Sequence, residues 1–336
     1  MDLIEKYEPI LIFGAIILGL LLNNIDFLRQ ISPSLITIFL SLMLFALFLD
    51  IPLSDIRNSF HNTKFSLTSL TINFIWTPLF GYFLGNIFLN GNTDLFIGFV
   101  MLILTPCTDW YLVFTKISKG NLPLSLSILP LNLVLQLILL PLYLIMFFST
   151  TNTIELADLS KSLITFIVLP FITSLAVKYI LKNKPIKDKI ISTFSKFQTI
   201  FLCIAIFALF NTEANSLLNN LNSIGILFIP IILFFIINFI IDYILSKQLK
   251  FRYEDYASLT MTTLARNSPL ALAIAISSFP HNELISIALV IGPLIELPVL
   301  YIASRVLLKI RKKYKKEEKY PWKRNITKMQ TIKCEN

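Results

Sequence analysis

The chain has 336 residues, 55% of them hydrophobic and only 15% charged, with a net charge of +9. A soluble protein of this length carries about 25% charged residues, so the deficit excludes a soluble globular enzyme and points to a polytopic membrane protein. Basic residues crowd the stretch KIRKKYKKEEKYPWKR after Leu308 and the segment from Lys178 to Lys196, a pattern of cytoplasmic loops rather than of a nucleic-acid interface.

Apolar windows of roughly 20 residues predict ten spans, at about 9–28, 34–51, 65–89, 95–117, 122–148, 160–181, 196–212, 220–245, 255–278 and 283–308. The first lacks a basic leader and a small-residue cleavage site, so it reads as a span and not a signal peptide. Connections after spans 2, 4, 6 and 8 carry Arg57 and Lys64, Lys116 and Lys119, the lysine-rich segment, and Lys247, Lys250 and Arg252. Those after spans 3, 5, 7 and 9 (NGNTD, STTNTIELADL, NTEANSLLNN, FPHNE) carry essentially none. The positive-inside rule therefore places both termini in the cytoplasm, as an even number of spans also requires. The expected organisation is a transmembrane domain over residues 1–308 in the cell (plasma) membrane and a basic cytoplasmic tail over 309–336.

An internal repeat underlies the spans. A shift of 163 residues carries Pro106 onto Pro269 and Pro130 onto Pro293. Span 4 then matches span 9 and span 5 matches span 10, with repeat one at about 9–148 and repeat two at about 160–308. Five spans is an odd number, so the halves insert with opposite orientations, as in many secondary transporters.

Spans 4 and 9 are interrupted at matching places, by TPCTD (Thr105–Asp109) and ARNSP (Ala265–Pro269). Proline removes a donor and frees a carbonyl one turn back; at membrane depth such groups survive only beside protein or a watery cavity. Paired interruptions of this kind point to a central binding site. Asp109 and Arg266 flank the breaks, and isolated each costs at least ~2.5–3.5 kcal/mol at a helix centre. The two are expected to neutralise one another, either as a structural pair or with a role toward substrate. Glu296, between Pro293 and Pro298 in IGPLIELPVL, is a third intramembrane charge: a proton-carrying carboxyl or a partner for Arg266. Cys107 is a soft thiol beside the first proline break, and by itself a buried cysteine more often packs as a small hydrophobe; Cys203 in FLCIAIF reads as packing and Cys334 as incidental. The three cysteines show no metal-ligand spacing, and His61 and His281 fall in connections. No nucleotide-binding or hydrolase motif is present and no cofactor is expected.

The stretches TPCTDWYLVFTKISKGN and IALVIGPLIELPVL resemble the arsenite efflux permease branch of the bile acid/sodium symporter superfamily, with a likeness that covers most of the chain up to about Leu308 and is strongest over spans 4, 5, 9 and 10. That resemblance implies an all-α fold of ten spans in a five-plus-five inverted repeat, divided into panel and core parts, with spans 4 and 9 broken and crossing at Pro106 and Pro269. It implies that Cys107 is needed for transport as a transient ligand of As(III) and that Glu296 serves in coupling. From the residues of the breaks themselves, Thr108 and Asn267 are expected beside Cys107 in the substrate site, and Asp109 and Arg266 as the charges that act with Glu296. The permease pattern also places an acidic residue near Ala271, and the sodium-coupled branch places one near Thr262 and a glutamine at Arg266; this chain has neither acid. Soft thiolate suits As(III) by extension of the softness argument, and one thiol binds weakly enough to release.

Two partner sets follow besides the lipid bilayer, and neither includes nucleic acid. One is a metalloid such as arsenite or antimonite, exported in exchange for protons. The other is an organic anion imported with sodium, favoured by Arg266 and by the positive ends of half-helices. A sensor needs no mirrored site, and no catalytic pair supports an intramembrane enzyme.

Overall fold

The computed structural model describes residues 3–50, 62–108, 110–148, 168–181, 186–219, 225–279 and 282–319. Asp109, Arg57, His61, His281, the beginning of the predicted sixth span and the tail beyond Lys319 lie outside the described residues. Within them every regular element is helical. The first half holds α1 (Leu3–Leu21), α2 (Asp26–Asp50), α3 (Thr63–Thr71), a π-turn (Ile72–Trp76), α4 (Thr77–Phe88), α5 (Thr93–Leu104), α6 (Trp110–Ile117) and α7 (Leu122–Phe148). The second half holds α8 (Leu169–Ile180), α9 (Lys187–Asn219), α10 (Phe228–Gln248), α11 (Tyr253–Leu264), α12 (Ser268–Ser278) and α13 (Glu283–Lys319).

Six of the described segments are long and apolar enough to cross a membrane: Asp26–Leu49, Thr63–Phe88, Leu122–Phe148, Lys189–Asn215, Phe228–Gln248 and Glu283–Lys312. Ile10–Leu21, Thr93–Leu104 and Leu169–Ile180 are shorter apolar helices. Large apolar side chains such as Phe13, Phe83, Ile138, Ile240 and Ile302 are exposed on their outer faces, a surface that suits lipid and not water. The chain is a multi-pass, all-helical membrane protein.

Three elements are longer than the sequence predicts; one is α2, which begins at Asp26 and not at residue 34. Span 7 was expected at 196–212, but α9 runs from Lys187 to Asn219, because a hydropathy window does not register the polar turns (KDKIIS, NTEANS) that extend a helix past its apolar middle. The last helix does not stop at Leu308 either, and its lysine- and glutamate-rich extension reaches Lys319. These are good helix formers, and the extension is held against α11. Tyr314 stacks on Tyr256 with ring centroids 6.3 Å apart, and Arg311 lies 4.0 Å from Glu254.

The helices pack in two groups. In one, α1 and α2 lie against α9, and α2 also against α8. The other is built around α5, α10, α11 and α13, with α4, α6 and α7 packed on them. Helix α5 runs so close to α13 that a Cβ on Gly98 would stand 2.7 Å from Ala288 Cβ and 2.9 Å from Ile285 O. Proline shapes α3–α4: Pro78 lacks an N–H and leaves the Phe74 carbonyl without its usual helical donor. The helix widens into the π-turn just before it, and the Tyr143 hydroxyl of α7 donates to that carbonyl. Asparagines tie the loops of the two halves together. Asn121 donates to Asp255 at 2.8 Å and Asn282 to Asp94 at 3.0 Å, so the start of α7 is fastened to α11 and the start of α13 to α5.

Candidate functional site

The sequence TPCT ends α5 because Pro106 cannot donate and disfavours helical backbone in the residue before it. Thr105 is accordingly extended (φ −104°, ψ 100°). In the second half Ala265 is extended (φ −70°, ψ 138°) after α11, and Asn267 caps α12 by accepting from Leu270 N at 3.2 Å. Pro106 therefore sits within its break, while Pro269 lies just past the other one, in the first turn of α12.

The two breaks complete one another. Pro106 and Arg266 form an antiparallel bridge, with Cys107 N donating to Ala265 O at 3.0 Å and Asn267 N to Thr105 O at 2.6 Å. The Thr105 hydroxyl lies 3.2 Å from the carbonyls of Met101, Leu102 and Asn267. Interrupted backbone at membrane depth needs such partners, and here each half supplies them to the other.

Arg266 is 2% exposed and its guanidinium is enclosed by main chain and amide. Nη1 donates to Ile103 O at 2.9 Å, Nε to Leu264 O at 3.2 Å and Nη2 to Asn73 Oδ1 at 3.3 Å, while its Cζ lies 5.0 Å from the centre of the Phe234 ring. The carboxylate of Glu296 accepts from the backbone N–H of Arg266 at 2.8 Å, so the glutamate is bonded to this residue through its main chain. Asp109, the other expected partner, lies outside the described residues.

A cavity of about 270 Å³ opens between the two helix groups. Cys107, Arg266, Asn267, Pro269 and Glu296 line one side, and Ser195, Gln198 and Thr199 of α9 contribute to the other. Thr108 does not line it; its hydroxyl accepts from Asn267 Nδ2 at 3.4 Å and so braces the cap. The cavity thus presents one thiol, one carboxylate and the N-terminus of α12, which favours negative charge, with the enclosed cation of Arg266 in its wall. Cys203 is half-buried on α9 and is not among the cavity residues. Among the described residues no group of three histidine, cysteine or acidic side chains is placed to hold a metal ion.

Sequence reading missed the polar residues of α9, because a serine, a glutamine and a threonine in an amphipathic stretch carry no distinctive signal. It also missed Asn73 and Asp242. The signal for Asp242 was available: a lone acid in FFIINFIIDYIL, one turn after Asn238, and acids at such positions are rare and functional.

Comparison with known proteins bears on this arrangement. A match to the Sodium Bile acid symporter family covers residues 37–220, more than half of the chain. The chain is 26% identical to an arsenical-resistance protein Acr3 of Corynebacterium glutamicum, over 89% of this chain and 87% of that one. It is 22% identical to the Acr3 of Alkaliphilus metalliredigens, over 90% and 91% respectively. An uncharacterized transporter of Synechocystis is 24% identical, over 92% of this chain and 89% of its own length.

Proposed function

The chain belongs to the Sodium Bile acid symporter family and is a transporter, not an enzyme, and from that premise we propose that it exports arsenite or antimonite in exchange for protons. The observation that carries the reading is the single thiol of Cys107, held by the bridge between two broken helices, in a small cavity that also contains Glu296. At about 270 Å³ the cavity falls below the roughly 300–1,000 Å³ of pockets for drug-sized ligands, which suits a metalloid hydroxide better than a large organic anion. The similarity to two arsenical-resistance proteins supports the same cargo.

In this reading the Cys107 sulfur is the soft ligand that As(III) meets on entering from the cytoplasm. The α12 cap, Asn267, positions hydroxyl groups of the cargo, with Thr108 holding the cap amide. Glu296 carries the coupling proton at the cavity wall, and Asp109 adds to the balance of charge against Arg266. The ten spans form two five-span repeats of opposite orientation in the plasma membrane, with both termini cytoplasmic. Support comes from the charge alternation of the loops and from the mutual position of the breaks.

A second reading, sodium-coupled import of an organic anion, draws on one specific observation: Arg266 and the N-terminus of α12 both face the cavity. Expression in an arsenite-sensitive, efflux-deficient cell separates the two. Restored arsenite tolerance is the expected result. Unchanged sensitivity together with sodium-dependent organic anion uptake establishes the second reading instead.

A further inference from the structure

Helix α10 carries Asn238, Asp242 and Ser246 at intervals of four residues, which places them on one face, and all three are fully buried. That face packs on α11, α4 and α13. Asn238 Oδ1 accepts from Trp76 Nε1 at 2.8 Å, whereas its Nδ2, Asp242 Oδ1, Ser246 Oγ, Thr77 Oγ1 and Tyr256 Oη are buried with no protein partner. A buried carboxylate oxygen left unpartnered is strongly unfavourable, so the face is built around something that Asp242 holds.

The geometry at the other carboxyl oxygen identifies it. Thr263 Oγ1 lies 2.6 Å from Asp242 Oδ2, 3.0 Å from Leu259 O and 3.2 Å from Thr260 O. A hydroxyl has one hydrogen. With Asp242 ionised, that hydrogen faces three acceptors and serves one well. With Asp242 protonated, the carboxyl donates to Thr263 and Thr263 donates onward to its own helix, and both bonds are made. Charge balance agrees. Arg266 interacts electrostatically with both Glu296 and Asp242, and of these three fully enclosed groups two are acids and one is a base. One proton too few is available unless an acid carries it.

We propose that Asp242 is a second proton-binding carboxyl, sharing one proton with Glu296 across Arg266, and that it exchanges this proton toward the end of α10 marked by Lys247. In the present geometry Asp242 holds the proton and Glu296 is ionised. When Glu296 takes up a proton, the guanidinium charge becomes available to Asp242, which releases its own; one proton is bound and one leaves. Ser246, one turn closer to Lys247, and Tyr256 on α11 are the polar groups on the way out. The charged and titratable described groups that face Asp242 are Arg266 and Tyr256 from the α11 side. On α13, Tyr314 is stacked on Tyr256, and Glu296 lies beyond Arg266. On α10 itself are Tyr243, 5.9 Å from the Tyr256 ring, and Lys247, 4.3 Å from the Tyr314 ring. From the π-turn comes the Trp76 indole and from α4 the Thr77 hydroxyl.

The inference rests on the exchange reading, and its test does not depend on the cargo. Infrared spectra of the full chain in lipid vesicles, with aspartate isotope-labelled at the side-chain carboxyl, are expected to show a protonated-carboxyl stretch at neutral pH. Asp242→Asn removes that stretch, and Glu296→Gln, which is permanently neutral, weakens it. Absence of the stretch in the unaltered protein, its survival in Asp242→Asn, or its indifference to Glu296→Gln overturns the proposal. Should Asp242→Asn not fold, Thr263→Val must shift the frequency, and an unshifted band overturns it equally. In transport, the ratio of arsenite efflux with and without a pH gradient falls to unity in Asp242→Asn. A chain that moves no arsenite fails the cargo assignment alone, leaving the infrared result to stand.

Discussion

Between Leu104 and Trp110 the described residues of the first break offer a thiol and two hydroxyls; between Leu264 and Ser268 the second offers a guanidinium and an amide. Their main chains do the same work, each supplying the hydrogen bonds that the other lacks. The side chains are thereby released from that duty. The first break is soft and presents its sulfur to the cavity, whereas the second is cationic and keeps its charge wrapped in carbonyls. A symmetric backbone with asymmetric side chains lets one crossing both bind a cargo and set the field around it.

The sharpest way to break this comparison is to make the first break hard. Cys107→Ser keeps the size and exchanges a soft donor for a hard one. It is expected to abolish arsenite tolerance while leaving membrane expression intact, with Cys203→Ser, half-buried on α9 and away from the cavity, showing tolerance unchanged. Full efflux by the Cys107→Ser protein would return the two breaks to equal roles and favour the organic anion reading.

Neutralising the second break comes next. Arg266→Gln takes the guanidinium away from Ile103 O, Leu264 O and Asn73 Oδ1 and leaves the enclosed acids nearby without a counter-charge, and each lost hydrogen bond to a charged group is worth about 1.5–3 kcal/mol. Thermal unfolding in detergent is expected to fall accordingly. Adding Glu296→Gln recovers part of the loss, since neither charge is then uncompensated. Larger recovery with Asp109→Asn than with Glu296→Gln moves the balancing charge from α13 to the first break. Strictly additive defects in both double variants would show that Arg266 acts alone.

How much of this was legible beforehand follows from rarity. Cys107, Pro106, Arg266 and Glu296 stand out because such residues are few in apolar runs, and the paired interruptions located both breaks. The environment of Arg266 was not legible: two of its guanidinium acceptors are main-chain carbonyls, which every residue possesses. Asp242 was legible by the same rarity, as a lone acid in an apolar run, and was missed; what the sequence does not show is that Asn238, Asp242 and Ser246 are buried together on one face. At the π-turn of Ile72–Trp76 the proline that frees the Phe74 carbonyl is local and legible, whereas the donor that satisfies it, Tyr143, lies far away in sequence and is not.

The smallest expected effect sharpens the comparison at the level of one amide. Asn267→Ala removes the α12 cap and the contact with Thr108, which is worth about 1 kcal/mol for a typical cap. Asn267→Asp retains the cap but brings a negative charge to the cavity. A modest loss of thermal stability is expected in the first by melting, and arsenite efflux is expected to persist in the second; abolished transport in the second would favour the anionic cargo of the organic anion reading. Equal losses in both would reduce Asn267 to a structural cap.

The bridge between the breaks also constrains how the protein is made. Cys107 cannot meet Ala265 until about 160 further residues have left the ribosome, which at about 5–20 residues per second takes roughly 10–30 s. Throughout that interval the first interruption has no mate for its amide and carbonyl groups. Nascent chains halted before the second interruption are therefore dependent on the insertion machinery, or on water within it, to shelter residues 105–108. Ribosome stalling in the second half of the message should yield products that are cleared by quality-control proteases sooner than products stalled just after Asn267.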